Sequence, residues 1–249
     1  TPYPPLKLAL ASNATLTARA QAGVNIEFTG SALIDTVYSP QDVRLTSTGS
    51  LLNANDDLLI NILGTKVLLE ATGSIGTAGH ALNVGSNLGG GITASAGGLI
   101  NLFGPAGHQF VIAGASSSAG SIKLTAALEG VIDGAVTAPG RIDLAAGARL
   151  VLSSRGQVHA LGDLIDVRAG ALKMIDGASL VADIGRIGIE TDGDALVTGI
   201  ESGASDAGSD AAVTIVSGGR VFAGTDPVRV FDIKAMATGA SVSVTAALG

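Results

Sequence analysis

Apolar and polar residues alternate along this chain in short bursts, and one apolar–polar–apolar phrase recurs from near the start to the end. Its clearest copies in the first half are Val24-Asn25-Ile26-Glu27-Phe28, Val43-Arg44-Leu45, Val67-Leu68-Leu69-Glu70-Ala71, Ile92-Thr93-Ala94 and Ile122-Lys123-Leu124-Thr125-Ala126. Ile142-Asp143-Leu144-Ala145-Ala146, Ile165-Asp166-Val167-Arg168-Ala169, Ile187-Gly188-Ile189-Glu190-Thr191, Val213-Thr214-Ile215 and Ile233-Lys234-Ala235 continue the series. A period of two puts alternate side chains on opposite faces, so each phrase predicts a β-strand with one buried face. Many copies run on through a small residue and glycine to a second apolar pair, as in Thr72-Gly73-Ser74-Ile75, Ala169-Gly170-Ala171-Leu172 and Ser217-Gly218-Gly219-Arg220-Val221. Glycine takes positive φ without a Cβ penalty, so these joints predict corners where the strand passes from one face to the next.

Successive phrases begin 19 to 30 residues apart. A coil of roughly 20 residues, holding two or three short strands and returning to stack on the coil before it, is the repeat of a parallel β-helix. The predicted fold is therefore all-β, a solenoid of about ten irregular coils. Stacking sets aliphatic residues over their counterparts, and Ile122, Leu124, Ile142, Leu144, Ile165, Val167, Ile187, Ile189, Val213 and Ile215 are the expected inward ladder. Residues 1–23 read as an N-terminal linker and first incomplete coil, with Thr1 to Pro5 extended, and 24–249 as the solenoid with no firm internal boundary. Three stretches read as loops between phrases: Ser86 to Gly91, Ala113 to Gly120 and the acidic Glu201 to Asp210. A β-sandwich would need antiparallel hairpins, yet only Asp133-Gly134, Asp176-Gly177 and Asp192-Gly193 carry the two-residue turn signal. A propeller would need longer repeats with aromatic motifs.

Composition agrees with this picture and removes some functions. Of 249 residues 36 are glycine, about twice the usual ~7%, and charged residues make up only 14%. So much glycine penalises long helices, while 47% hydrophobic residues supply a core. Two Tyr, five Phe and no Trp fit a narrow aliphatic lumen. With few rings and a net charge of -7, the chain lacks both the stacking platforms and the cationic field of a nucleic-acid binder. Zero cysteines exclude a disulfide framework and a thiolate metal site, and they are compatible with secretion. Residues 71–122 contain no Asp, Glu, Lys or Arg, but Gly, Asn, Ser and His break every apolar run short of the ~18 residues a membrane helix needs. Thr1-Pro2-Tyr3-Pro4-Pro5 is neither basic nor apolar, so it is no secretory leader, and the chain reads as a segment of a longer one.

The phrases Lys66 to Val84 (KVLLEATGSIGTAGHALNV) and Gly140 to Leu152 (GRIDLAAGARLVL) resemble the shaft repeats of filamentous haemagglutinin-type exoproteins. As a pattern the resemblance runs from Val24 to the C-terminus, with Val67 to Val84 closest in wording; the family's N-terminal secretion domain is not recognisable. The resemblance implies a right-handed β-helix exported by two-partner secretion. It further implies a secreted or cell-surface location, an outer-membrane secretion partner, neighbouring coils of a longer protein, and a host glycan or protein receptor.

Candidate chemistry is sparse. His80, His108 and His159 are solitary and lie in no zinc-like spacing. No nucleophile elbow, Walker loop or dinucleotide fingerprint occurs. Asp143, Asp163 and Asp166, with Arg141 and Arg168, could align on stacked rungs. One rung of ~4.8 Å, or two, would bring carboxylates to the 5 to 9.5 Å separation of glycoside hydrolysis. Outward charges on adjacent rungs also form ordinary surface pairs, and that reading weighs more. Asn53 to Asp57, Asp192-Gly193-Asp194 and Glu201 to Asp210 gather the hard oxygens that Ca²⁺ prefers, but none matches a calcium-binding repeat or EF-hand, and solvated loops are the simpler reading. The expectation is a structural shaft segment of an adhesin, with no catalytic, cofactor or metal site. A polysaccharide-binding or polysaccharide-cleaving β-helix is the alternative. A surface- or ice-binding solenoid would require flat threonine arrays, which are missing. Open end coils, carrying unpaired edges and little charge, are expected to self-associate.

Overall fold

The computed structural model describes residues 4–55, 57–204, 211–224 and 232–247. It is all-β, with no helix among the described residues, and its parallel strands form a β-solenoid of about ten turns. The chain divides into two compact units, Thr1–Ala127 and Leu128–Gly249, a division that the uniform repeat does not mark.

In the first unit, strands Val24–Phe28, Val43–Ser47, Ile62–Ala71, Leu82–Ala96 and Phe110–Ser117 pair in parallel through the rungs Val24↔Val43, Val43↔Val67, Val67↔Ile92 and Ile92↔Ile112. Strands Leu6–Leu8 and Thr15–Arg19 pair with Val24–Phe28 and Ala32–Tyr38, so the described part of residues 1–23 already belongs to the stack. Thr1 to Tyr3 of the expected linker lie outside the described residues.

The second unit shows the coil most regularly, with three parallel sheets. One runs through Ile142↔Ile165↔Ile187↔Val213↔Val242. The next runs through Leu150↔Leu172↔Ala195↔Val221, and the third through Val136↔Val158↔Leu180↔Ile200↔Ile233. Neighbouring rungs lie about 4.8 Å apart. All ten residues expected to point inward are buried.

Several expectations need correction. Ile122–Ala126 stacks on Ile100–Gly104, not on the Ile92 phrase, and Ile233–Ala235 stacks on Ile200–Ser202. The successor of Val213 is Val242. The cause is that the same phrase is used on more than one face, so similarity of wording does not fix the face. Ser86 and Gly91 pair with Gly64 and Lys66 while Asn87 to Gly90 bulge out between them, so the expected loop is there as a bulge inside the strand Leu82–Ala96; Ala113 to Ser117, by contrast, belongs to Phe110–Ser117, paired with the preceding coil. Parallel pairing supplies the hydrogen bonds that this Ala- and Ser-rich stretch does not suggest by composition. Finally, the corner glycines Gly73, Gly170 and Gly218 do not have positive φ. They are needed because coils approach closely there: a Cβ on Gly170 or Gly218 would run into the carbonyl oxygen of Ala148 or Asp192 on the preceding coil.

Candidate functional site

The period-two pattern that turns Ile142, Leu144, Ile165 and Val167 inward turns Asp143, Asp166 and Arg168 outward on one sheet of the second unit. Register places Asp143 opposite Asp166, then Gly188, Thr214 and Ser243 on the following rungs. Arg141 joins the two carboxylates: its Nε donates to Asp143 Oδ1 at 2.5 Å and its Nη2 to Asp166 Oδ2 at 2.8 Å. Arg168 Nη2 reaches the same Asp166 oxygen at 2.6 Å, and its Nε stands 3.6 Å from Glu190 Oε2. The hydrogen bond to Asp143 outweighs the opposing effect of burial and, with the negative charge of Asp143, Asp166 and Asp163, holds the Arg141 guanidinium protonated to still higher pH than usual.

The structure thus brings together four of the five expected residues. Asp163 stands apart, in the turn before the strand, with Oδ1 accepting the Leu164 N–H at 2.7 Å. Beside the cluster Gly188 leaves an open depression of about 660 Å³, lined by Arg141, Asp166, Arg168, Arg186, Thr214 and Ser243 among others, none of them aromatic. Glycoside hydrolysis needs one carboxyl group presenting a proton and a second free to act on the sugar or on water. Here both carboxylates are engaged by guanidinium groups, and Asp166 by two.

The same cross-rung pairing recurs away from this cluster. Arg44 pairs with Glu70 at 2.8 Å, Arg149 with Glu129 at 2.6 Å, and Arg155 with Asp133. His159 meets Asp183 on the following coil at 2.7 Å, whereas His80 and His108 lie exposed in turns. Partly exposed pairs of this kind contribute about 0 to 1 kcal/mol each.

No group of three or more His, Cys, Asp or Glu residues suited to a metal ion occurs among the described residues. Asn53 and Asn55 are turned to other work: Asn53 Nδ2 donates to Ala81 O, its Oδ1 accepts from Asn55 N–H and Asn61 Nδ2, and Asn55 Nδ2 donates to Asp35 Oδ1. Asp194 Oδ1 accepts the Arg220 N–H at 2.8 Å. Of the acidic loop, Ser205 to Asp210 lie outside the described residues.

Sequence reasoning missed two sets of buried polar residues. Ser47, Ser117, Ser202 and Ser217 end inward-facing strand positions, and each hydroxyl donates to a glycine carbonyl at 2.6 to 2.8 Å while accepting a corner N–H. Asn61, Asn83 and Asn101 are likewise buried; Asn61 holds the strand carbonyls of Ile34 and Asp35, and Asn83 and Asn101 hold turn carbonyls. Their signal is position: each adjoins a core Ile or Leu, at about one coil's spacing from the next. No family model, no curated protein and no solved structure matches this chain, so what it does is argued from these residues alone.

Proposed function

We propose that this chain is a shaft segment of a large secreted or cell-surface bacterial adhesin, of the filamentous haemagglutinin type, exported through an outer-membrane partner and holding a receptor-binding region for attachment or biofilm formation. The observation that carries the reading is the ladder. Apolar positions of one coil are buried against their equivalents on the next, so length is gained by adding coils, and stability accumulates from neighbour contacts. The outward charges serve the same end, since they are answered from rung to rung.

The alternative, a polysaccharide-cleaving β-helix, draws on the Asp143–Asp166 pair, and its weakness is that arginines occupy both carboxylates. Antibody raised against the chain tests the proposal: intact producing cells should label, and labelling only after lysis would overturn it. In parallel, the chain should release no new reducing ends from polygalacturonate, alginate or xylan. Release that is lost in Asp166→Asn would establish the alternative instead.

A further inference from the structure

On the strand Ile100–Gly104 of the first unit, Leu102 points into the core, which turns Asn101 and Phe103 outward. Asn101 is only 3% exposed, and Phe103 is half-buried. Two turns cover them. Asn101 Nδ2 donates to Thr77 O at 2.6 Å, tying down the turn that carries His80. Asn83, also 3% exposed, donates through Nδ2 to Asp57 O at 2.9 Å and Leu59 O at 2.7 Å, tying down the other. Between the turns and the strand lies a bay of about 210 Å³, lined by Asp57, His80, Asn83, Asn101, Phe103 and Lys123 among others.

Size, polarity and the ring together select a ligand class. The bay is below the ~300 to 1,000 Å³ of drug-sized pockets, which suits a single sugar ring. The amide nitrogens of Asn83 and Asn101 are used by the turns, while their carbonyl oxygens carry no hydrogen bond among the described residues and are not stranded in the core. Accessible acceptors in a bay also lined by Lys123 match hydroxyl groups, which both donate and accept. Phe103, one of only seven rings in the chain, offers an apolar face for sugar C–H groups. A bare cation would seek six to eight oxygens and be repelled by Lys123, whereas an anion would be repelled by Asp57.

We infer that this bay binds one pyranose residue of a neutral glycan, its C–H face on Phe103 and its hydroxyls shared among Asn83, Asn101 and Lys123. It gives the side of the solenoid a recognition site that a purely mechanical shaft does not need.

The test is saturation-transfer NMR on the full chain with the methyl glycosides of glucose, galactose, mannose and N-acetylglucosamine. At least one should receive saturation, strongest at ring C–H protons. Phe103→Thr should weaken that binding by about tenfold or more, from loss of one aromatic contact and its desolvation. Thr125→Arg lays a long side chain across the ring from the neighbouring rung without touching the core, and should abolish binding even if Phe103→Thr folds poorly. No transfer to any glycoside, or undiminished binding by Thr125→Arg, would overturn the inference. So would a melting temperature raised by CaCl₂ in the parent but not in Asn55→Ala, which would make the bay a cation site.

Discussion

Asp35 shows how a single residue is tied to its coil neighbours. Its carboxylate accepts Thr17 Oγ1 at 2.5 Å from the coil before and Asn55 Nδ2 at 2.6 Å from the coil after. These hydrogen bonds, that from Thr17 first, hold its carboxyl below the ordinary carboxylate range, with a smaller opposing effect of burial. A carboxyl depressed in the folded state stabilises the fold fully above its unfolded value, near ~3.9, and that contribution is lost as the pH falls through the folded value. Melting temperatures of the parent and Asp35→Ala should therefore differ most near neutrality and converge on acidification between about pH 5 and pH 2. Curves that stay parallel would show that Asp35 is not protonated in step with loosening. At this scale the aliphatic ladder was legible in the sequence, because Ile, Leu and Val recur with period two. The inward serines were not: Ser47 and Ser217 count as polar in any alternation, and only the paired coil supplies the Gly30 and Gly193 carbonyls their hydroxyls meet.

At the scale of the strand and its corner, glycine has two different uses, and a pair of substitutions separates them. Gly97 closes a corner, and a Cβ there would run into the Thr72 carbonyl oxygen on the preceding coil. Backbone does not yield as a side-chain tip does, so Gly97→Ala should cost about 1 to 3 kcal/mol, the range of overpacked sites. Gly79, in the turn beside the bay, has nothing within 4 Å of such a Cβ and no positive φ. Gly79→Ala should be neutral, or stabilising by about 0.4 to 1 kcal/mol through lost freedom of the unfolded chain. Denaturant midpoints of the two variants decide the matter, and equal effects would mean that coil contact does not select glycine at these corners. The existence of corners was legible, since each phrase meets a glycine and begins again. Which face a phrase occupies was not, because Ile122 and Ile233 read like the others and only register shows them stacking on Ile100 and Ile200.

For the whole molecule, the same regularity explains which candidate site could be foreseen. Asp143, Asp166 and Arg168 lie on strands, and Arg141 immediately before one, whose period and spacing fix their meeting, so sequence placed them together, whereas the bay over Phe103 depends on two irregular turns that no period describes. A stack also completes each coil's core from its neighbours, and where a neighbour is missing the inner face opens. Val213 and Ile215 are fully buried, yet one rung on, Val242 and Val244 are 43% and 49% exposed. The strand Val242–Ala246 pairs with Val213–Ser217 on one edge and meets no strand on the other among the described residues. An open edge with an apolar face is a template for a further strand, and lysine on such an edge blocks it. The purified chain should therefore associate reversibly with rising concentration in sedimentation velocity. The double variant Val242→Lys and Val244→Lys should remain monomeric while keeping the melting behaviour of the buried coils. A parent chain that stays monomeric at high concentration would mean that the edge is already covered, and that neighbour contacts are complete without a second copy.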